Sequence, residues 1–195
     1  EMTKAEAKAV LDYDSDDLLV VEPGYVRRQK GTHRFVDAAT ELPDHEFLVA
    51  GGPQGSAEQP FYRELRERGP DNVRFTGRLE DDRFHAAFIA ADVICLPYLQ
   101  MTQSGIFNWC AAYGVATAAS DHDYFRRIAD EWECVDLFDV DKTADIVDTL
   151  ETLLDSTKRR KELAANMEMF REANSFENVG KDHASLYRRS LKCQS

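Results

Sequence analysis

No run of about 18 apolar residues occurs in the 195-residue sequence, so a membrane-spanning helix is not expected. The opening stretch EMTKAEAKAVL lacks the apolar core of a secretory signal, which makes a cytoplasmic location the expectation. Cysteine is sparse. Cys95, Cys110, Cys134 and Cys193 lie far apart, with no CxxC pair and no histidines at zinc-finger spacing. Neither a disulfide framework nor a bound metal is expected, and Cys95, inside VICL, reads as a small buried hydrophobe. Positive charge is also short: 24 Lys and Arg face 36 Asp and Glu, for a net charge of −12. Such an acidic, halophile-type surface repels nucleic-acid backbones, whose binding needs a positive footprint. Finally, G-x-G-x-x-G, G-x-x-x-x-G-K-[ST], G-x-S-x-G and H-E-x-x-H are all missing. Dinucleotide, P-loop, serine-hydrolase and zincin chemistry are thereby disfavoured.

What the sequence does contain is alternation. Short apolar runs at residues 18–22, 46–50, 73–76, 92–96, 115–119 and 134–138 read as strands buried on both faces. Between them, 32–41, 57–68, 81–90, 104–113 and 123–131 have helical spacing, with Thr32 and Ser104 as expected N-caps. Helices alone are expected from Lys142 onward, at 143–154 and 158–173, with Ser175 capping a last one through Tyr187. The whole reads as one Rossmann-like α/β domain, doubly wound around a parallel six-stranded sheet: a linker helix in 1–16, a β/α core over 17–141 and a helical tail over 142–195. Sheets of this kind bind ligands at the carboxyl ends of their strands.

The loops at those ends carry the unusual residues. EPGYVRRQKGTHRF follows the first strand and gathers Arg27, Arg28 and Lys30 between Gly24 and Gly31. Gly51-Gly52-Pro53 follows the second strand, where missing side chains admit a ligand to the backbone. Gly77-Arg78-Leu79 follows the third, and Thr102-Gln103-Ser104-Gly105 leads from the fourth into a helix. A helix start at Ser104–Gly105 offers free N–H groups and a positive dipole end. Arg27 is suited to gripping a phosphate through two hydrogen bonds, and Lys30 adds a point charge. Arg28 is expected to face solvent. Together these groups form a candidate clamp for a diphosphate that needs no metal.

The ordered series resembles the C-terminal, nucleotide-sugar-binding domain of GT-B retaining glycosyltransferases of group 1, also called family four. The family outline, G-x5-K-G, a strand ending in GG, V-x-F-x-G, A-D-x-x-x-x-P and a Gly-led helix, appears in order. Here it is Gly24 to Gly31, FLVAGG (47–52), VRFTG (73–77), AADVICLPY (90–98) and SGIFNWCAAYGVATAAS (104–120). KAEAKAVLDY resembles the linker helix entering the domain, and NSFENVGKDHASLYRRS the closing helix, so nearly the whole chain is covered. The resemblance implies a nucleotide-diphosphate sugar as donor and no cofactor. It places Lys30 on the donor diphosphate, with Arg27 as the partner arginine found at this spacing in a subset of members. Gly24, Ser104 and Gly105 would meet the phosphates. Gly52, Gly77, Arg78 and Leu79 would hold the base and ribose, and Thr102 and Gln103 would approach the sugar.

The family's Glu-x7-Glu pair is missing. Its positions fall near Met101 or Thr102 and near Trp109 or Cys110, and Trp109 and Cys110 read as helix core. Other groups, such as Gln103 or Asn108, would then read the sugar and ribose. The resemblance further implies an acceptor-binding N-terminal domain, absent from this chain, and an acceptor that is a glycan, a lipid or a small molecule. The alternative reading is a non-catalytic binding module of the same fold. Asp121-His122-Asp123 reads as a helix cap beside an exposed histidine, Asp14, Asp16 and Asp17 as a solvated turn, and Arg159-Arg160-Lys161 as an exposed helix face.

Overall fold

A computed structural model describes residues 2–175, 178 and 180. Its first helix, α1 (Lys4–Val10), is closed by a Thr3/Glu6 capping box. Six parallel strands follow: β1 (Leu19–Pro23), β2 (Glu46–Ala50), β3 (Val73–Phe75), β4 (Val93–Leu96), β5 (Thr117–Ser120) and β6 (Asp136–Phe138). They pair in the order β3-β2-β1-β4-β5-β6, so the chain reverses its direction of travel across the sheet between β1 and β4. This is the α/β, Rossmann-like architecture expected. β1, β4 and β5 are buried throughout, as both faces of a parallel sheet require.

The connecting helices are α2 (Thr32–Glu41), α3 (Gln59–Arg68), α4 (Asp81–Ala90), α5 (Gly105–Tyr113) and α6 (Asp123–Trp132), followed by α7 (Thr143–Asp155) and α8 (Thr157–Ala173). Alternate strand residues feed two cores. Leu19, Val21, Ile94 and Leu96 join α1, α4, α5, α6 and α8, while Val20, Val93 and Cys95 join α2, α3 and α7. At the amino edge, buried Lys8 pairs with Asp92 at 3.0 Å and donates to the carbonyls of Ser15 and Asp17, tying α1 to the sheet.

Several details differ from expectation. Thr32 is not the cap of α2; Gly31 is, in the left-handed region at φ 73°, and Thr32 turns its hydroxyl inward to Glu22. A 3-10 turn at Ser56–Glu58 takes up the start expected for α3. Arg159 and Arg160 are not a solvated face. Arg159 pairs with Asp136, and Arg160 donates to the carbonyls of Leu153 and Leu154, closing the end of α7. The helix expected from Ser175 to Tyr187 lies outside the described residues, apart from the Asn178 N–H donating to Ser175 Oγ at 3.3 Å; Cys193 lies outside them as well.

Candidate nucleotide-sugar site

The loops after β1 and β4, on either side of the reversal, are laced together. Leu99 and Gln100 donate their N–H groups to the carbonyl of Gln29, at 2.9 and 3.3 Å. Gly31 lies so close to the next loop that a Cβ there would sit 1.7 Å from the Pro97 carbonyl oxygen. The β1 and β2 loops meet as closely: Val26 donates to Gly52 at 2.9 Å, and a Cβ on Gly51 would fall 1.8 Å from the Gly24 oxygen. Only glycine permits these approaches.

Between the loops lies a cleft of about 460 Å³. Gly24, Arg27, Lys30 and Gly52 line it, with Arg78 and Leu79 from beyond β3 and Gly105 from the start of α5. Asp81, Phe84, Ile106, Trp109 and the half-exposed Tyr25 line it as well. Arg27 and Lys30, two of the three cations in EPGYVRRQKGTHRF, thus face one space. Arg28 does not; its guanidinium lies 4.4 Å from the centre of the Phe61 ring, on the α3 side. Arg27 Nε is buried and meets no acceptor among the described residues.

Lys30 reaches over the ring of Tyr98, with Nζ 3.5 Å from its centre. Burial, and then the Arg27 charge, lower its pKa to about 8, against the pull of Glu22. Beneath it, Glu22 is the acid that sequence reasoning missed. It lies inside β1, accepts from Thr32 Oγ1 at 2.9 Å and keeps Oε2 unpaired. Burial raises its carboxyl to about 8, opposed by the Thr32 hydroxyl and Lys30. The only signal in the sequence was one acid ending the apolar run LLVVE, ten residues before a threonine.

This acid makes stability fall with pH. The unfolded carboxyl ionises near 4.5, while the folded one holds its proton to about pH 8. Across that window the folded state binds the extra proton, a cost of about 1.4 kcal/mol per pH unit. Glu22→Gln should therefore melt higher than the parent chain at pH 8 and little differently near pH 4.5. A gap of about 10–20 °C at pH 8 follows from about 5 kcal/mol accumulated over that window and 2–4 °C per kcal/mol for a domain of this size. Parallel melting curves across pH 4.5–8 would show that Glu22 is not held neutral.

The remaining predicted site residues divide. Ser104 caps α5 as expected, accepting from the Phe107 N–H at 3.2 Å, but its side chain is buried against the Tyr98 hydroxyl. Gly105 alone of that pair reaches the cleft. Gly77, at φ 71°, lies behind Arg78 in the turn. Thr102 opens instead onto a separate depression of about 250 Å³ with Asp121 and His122, and Gln103 is exposed outside both. His122 is less free than expected, because its Nε2 contacts the Tyr98 carbonyl oxygen at 2.7 Å. Trp109 overturns its core reading. It is 38% exposed and faces the cleft, while Cys110 is buried.

The reversal point of this doubly wound sheet presents two cations, a helix start and close-packed glycine loops, an arrangement chemically suited to an anionic ligand at the carboxyl edge. The chain belongs to the family described as "Glycosyl transferases group 1", which matches residues 3–169. It is 34% identical over 144 residues to the phosphatidyl-myo-inositol mannosyltransferase of Mycolicibacterium smegmatis, covering 70% of this chain and 36% of that protein. The chain thus spans about a third of that relative's length. In fold it is similar to Anabaena HepE in complex with UDP (TM-score 0.81, 15% identity, 96% of this chain and 52% of that one). A C-terminal domain of a group 1 glycosyl transferase from Francisella tularensis, solved by itself, matches with TM-score 0.75 and 18% identity over 89% of this chain and 93% of that one.

Proposed function

We propose that this chain is the donor-binding domain of a retaining glycosyltransferase, which holds a nucleotide-diphosphate sugar and stabilises the departing diphosphate without a metal. The observation carrying this reading is that Arg27, Lys30 and the start of α5 converge on one cleft at the reversal of the sheet. As the bond between the anomeric carbon and the phosphate oxygen breaks, its electron pair leaves on the diphosphate. Arg27 and Lys30 neutralise that charge, and the free N–H groups opening α5 add donors already in position. Gly52 lets the Gly77–Arg78 backbone approach, where a Cβ would fall 2.8 Å from the Arg78 nitrogen, and with Arg78 and Leu79 it lines the side that would take the nucleoside. That HepE has been solved with UDP, and that relatives transfer mannosyl groups, supports the same assignment. The acceptor, a glycan, lipid or small molecule, would be presented by an N-terminal domain.

Calorimetry with UDP, GDP and ADP, in EDTA and then in magnesium, tests the proposal. At least one diphosphate should bind, with an affinity that EDTA does not reduce. Binding only in magnesium would overturn the metal-free clamp. Binding of none would instead favour an interaction module of the same fold, consistent with no acid standing near Met101 or Thr102, or near Trp109 or Cys110, where the family carries glutamates.

A further inference from the structure

Among the described residues, the exposed large aromatic side chains are Tyr25 and Trp109, and both line the same cleft. The indole of Trp109 is held in place. It lies nearly parallel to the Tyr113 ring at 15° and meets His85 and Phe84 edge-on, at 5.1 and 6.3 Å between ring centres. Trp109 follows Gly105 by four residues, so the two share a face of α5, about 6 Å apart along the axis. Helical side chains lean toward the amino end, which brings the indole toward the N–H groups that would receive phosphate. A ring joined to a diphosphate there would lie against the indole.

Neighbouring residues indicate which ring. Trp109 shares its wall with Leu79, Phe84 and Arg78, from the end of β3 and the start of α4. Thr102 and Met101 open onto a different depression. Resting on the nucleotide-sugar reading above, we propose that Trp109 is a specificity-determining residue that recognises the nucleoside half of the donor through its ring face. Hydroxyl groups of the ribose are then not read by a hydrogen-bonding acid on α5, and 2′-deoxynucleotides are accepted nearly as well as ribonucleotides.

Trp109 and Trp132 are the two tryptophans, so a Trp132→Phe chain reports on Trp109 by fluorescence. UDP, GDP and ADP, their 2′-deoxy forms and pyrophosphate are titrated into it, with affinities checked by calorimetry on the unaltered chain. The nucleotide that binds should change the emission while pyrophosphate does not, and its deoxy form should bind within about twofold. Trp109→Ala should weaken that nucleotide roughly tenfold, within the range for one stacked base, and leave pyrophosphate unaffected. Trp109→Phe should restore most of the loss. The inference is overturned if Trp109→Ala binds the nucleotide normally, or loses pyrophosphate equally. Weakening of a nucleotide sugar but not of its free nucleotide overturns it too, by placing the indole on the transferred sugar. If the unaltered chain binds neither nucleotide nor pyrophosphate, the donor-site reading itself fails.

Discussion

Lys30→Ala should weaken nucleoside diphosphate binding about a hundredfold, the effect of removing one partner from a partly buried charge pair. The side chain is well placed for so large an effect. Its ammonium is partly desolvated over Tyr98 and shares the cleft with Arg27, so a diphosphate meets two cations with little water between them. The pH dependence of the parent chain supplies a second reading. Lys30 loses its proton as pH rises through about 8, and Glu22 ionises beneath it over the same range. Both changes remove positive charge, so affinity should be flat below pH 7 and fall about tenfold or more per pH unit above 8. Calorimetry at pH 6.5, 8 and 9 measures both effects, with the melting temperature of the variant as the control for folding. An Ala variant that binds normally, or an affinity that does not change to pH 9, would remove Lys30 from the clamp.

Gly31→Ala should cost about 3–5 kcal/mol of stability, because two penalties coincide at one atom. The residue sits at φ 73°, which L side chains rarely adopt, and its new Cβ would have to displace the Pro97 carbonyl from 1.7 Å. Neither side can yield independently, since Gln29 is hydrogen-bonded to Leu99 and Gln100 across the same gap. Gly55→Ala is the matched control: it has extended backbone and open space around the new Cβ, and should stay within about 0.5 kcal/mol of the parent. Urea denaturation of the pair decides the matter. Equal midpoints would mean that the two loops are not packed as described.

The alternation of apolar runs and helical spacing carried the number, order and type of the elements, because buried parallel strands must be continuously apolar. Boundaries shifted where a turn competed. Val115 and Ala116 are buried like strand residues, yet β5 begins only at Thr117, after the left-handed turn at Gly114. In the site, Arg27 and Lys30 could be found from position alone, being cations just past a strand in an acidic chain. Trp109 could not. α5 reads GIFNWCAAY, apolar almost throughout, so periodicity cannot tell its core side from its cleft side. Glu22 and Thr32 form a pair that only the packing of α2 on β1 creates. The same holds for Arg160, whose partners across the α7–α8 turn are the carbonyl oxygens of Leu153 and Leu154, which leave no mark on sequence.

The stitching between the β1 and β4 loops has a consequence for how the molecule works as a machine. A cradle without slack cannot wrap around its cargo, so for the proposed donor the conformational cost of binding would fall on the flexible diphosphate rather than on the protein. Nor can such a cradle close over an acceptor by bending its own loops. On the donor-binding reading proposed above, bringing donor and acceptor together would then fall to a movement of this whole domain as one rigid piece, with the hinge outside the site.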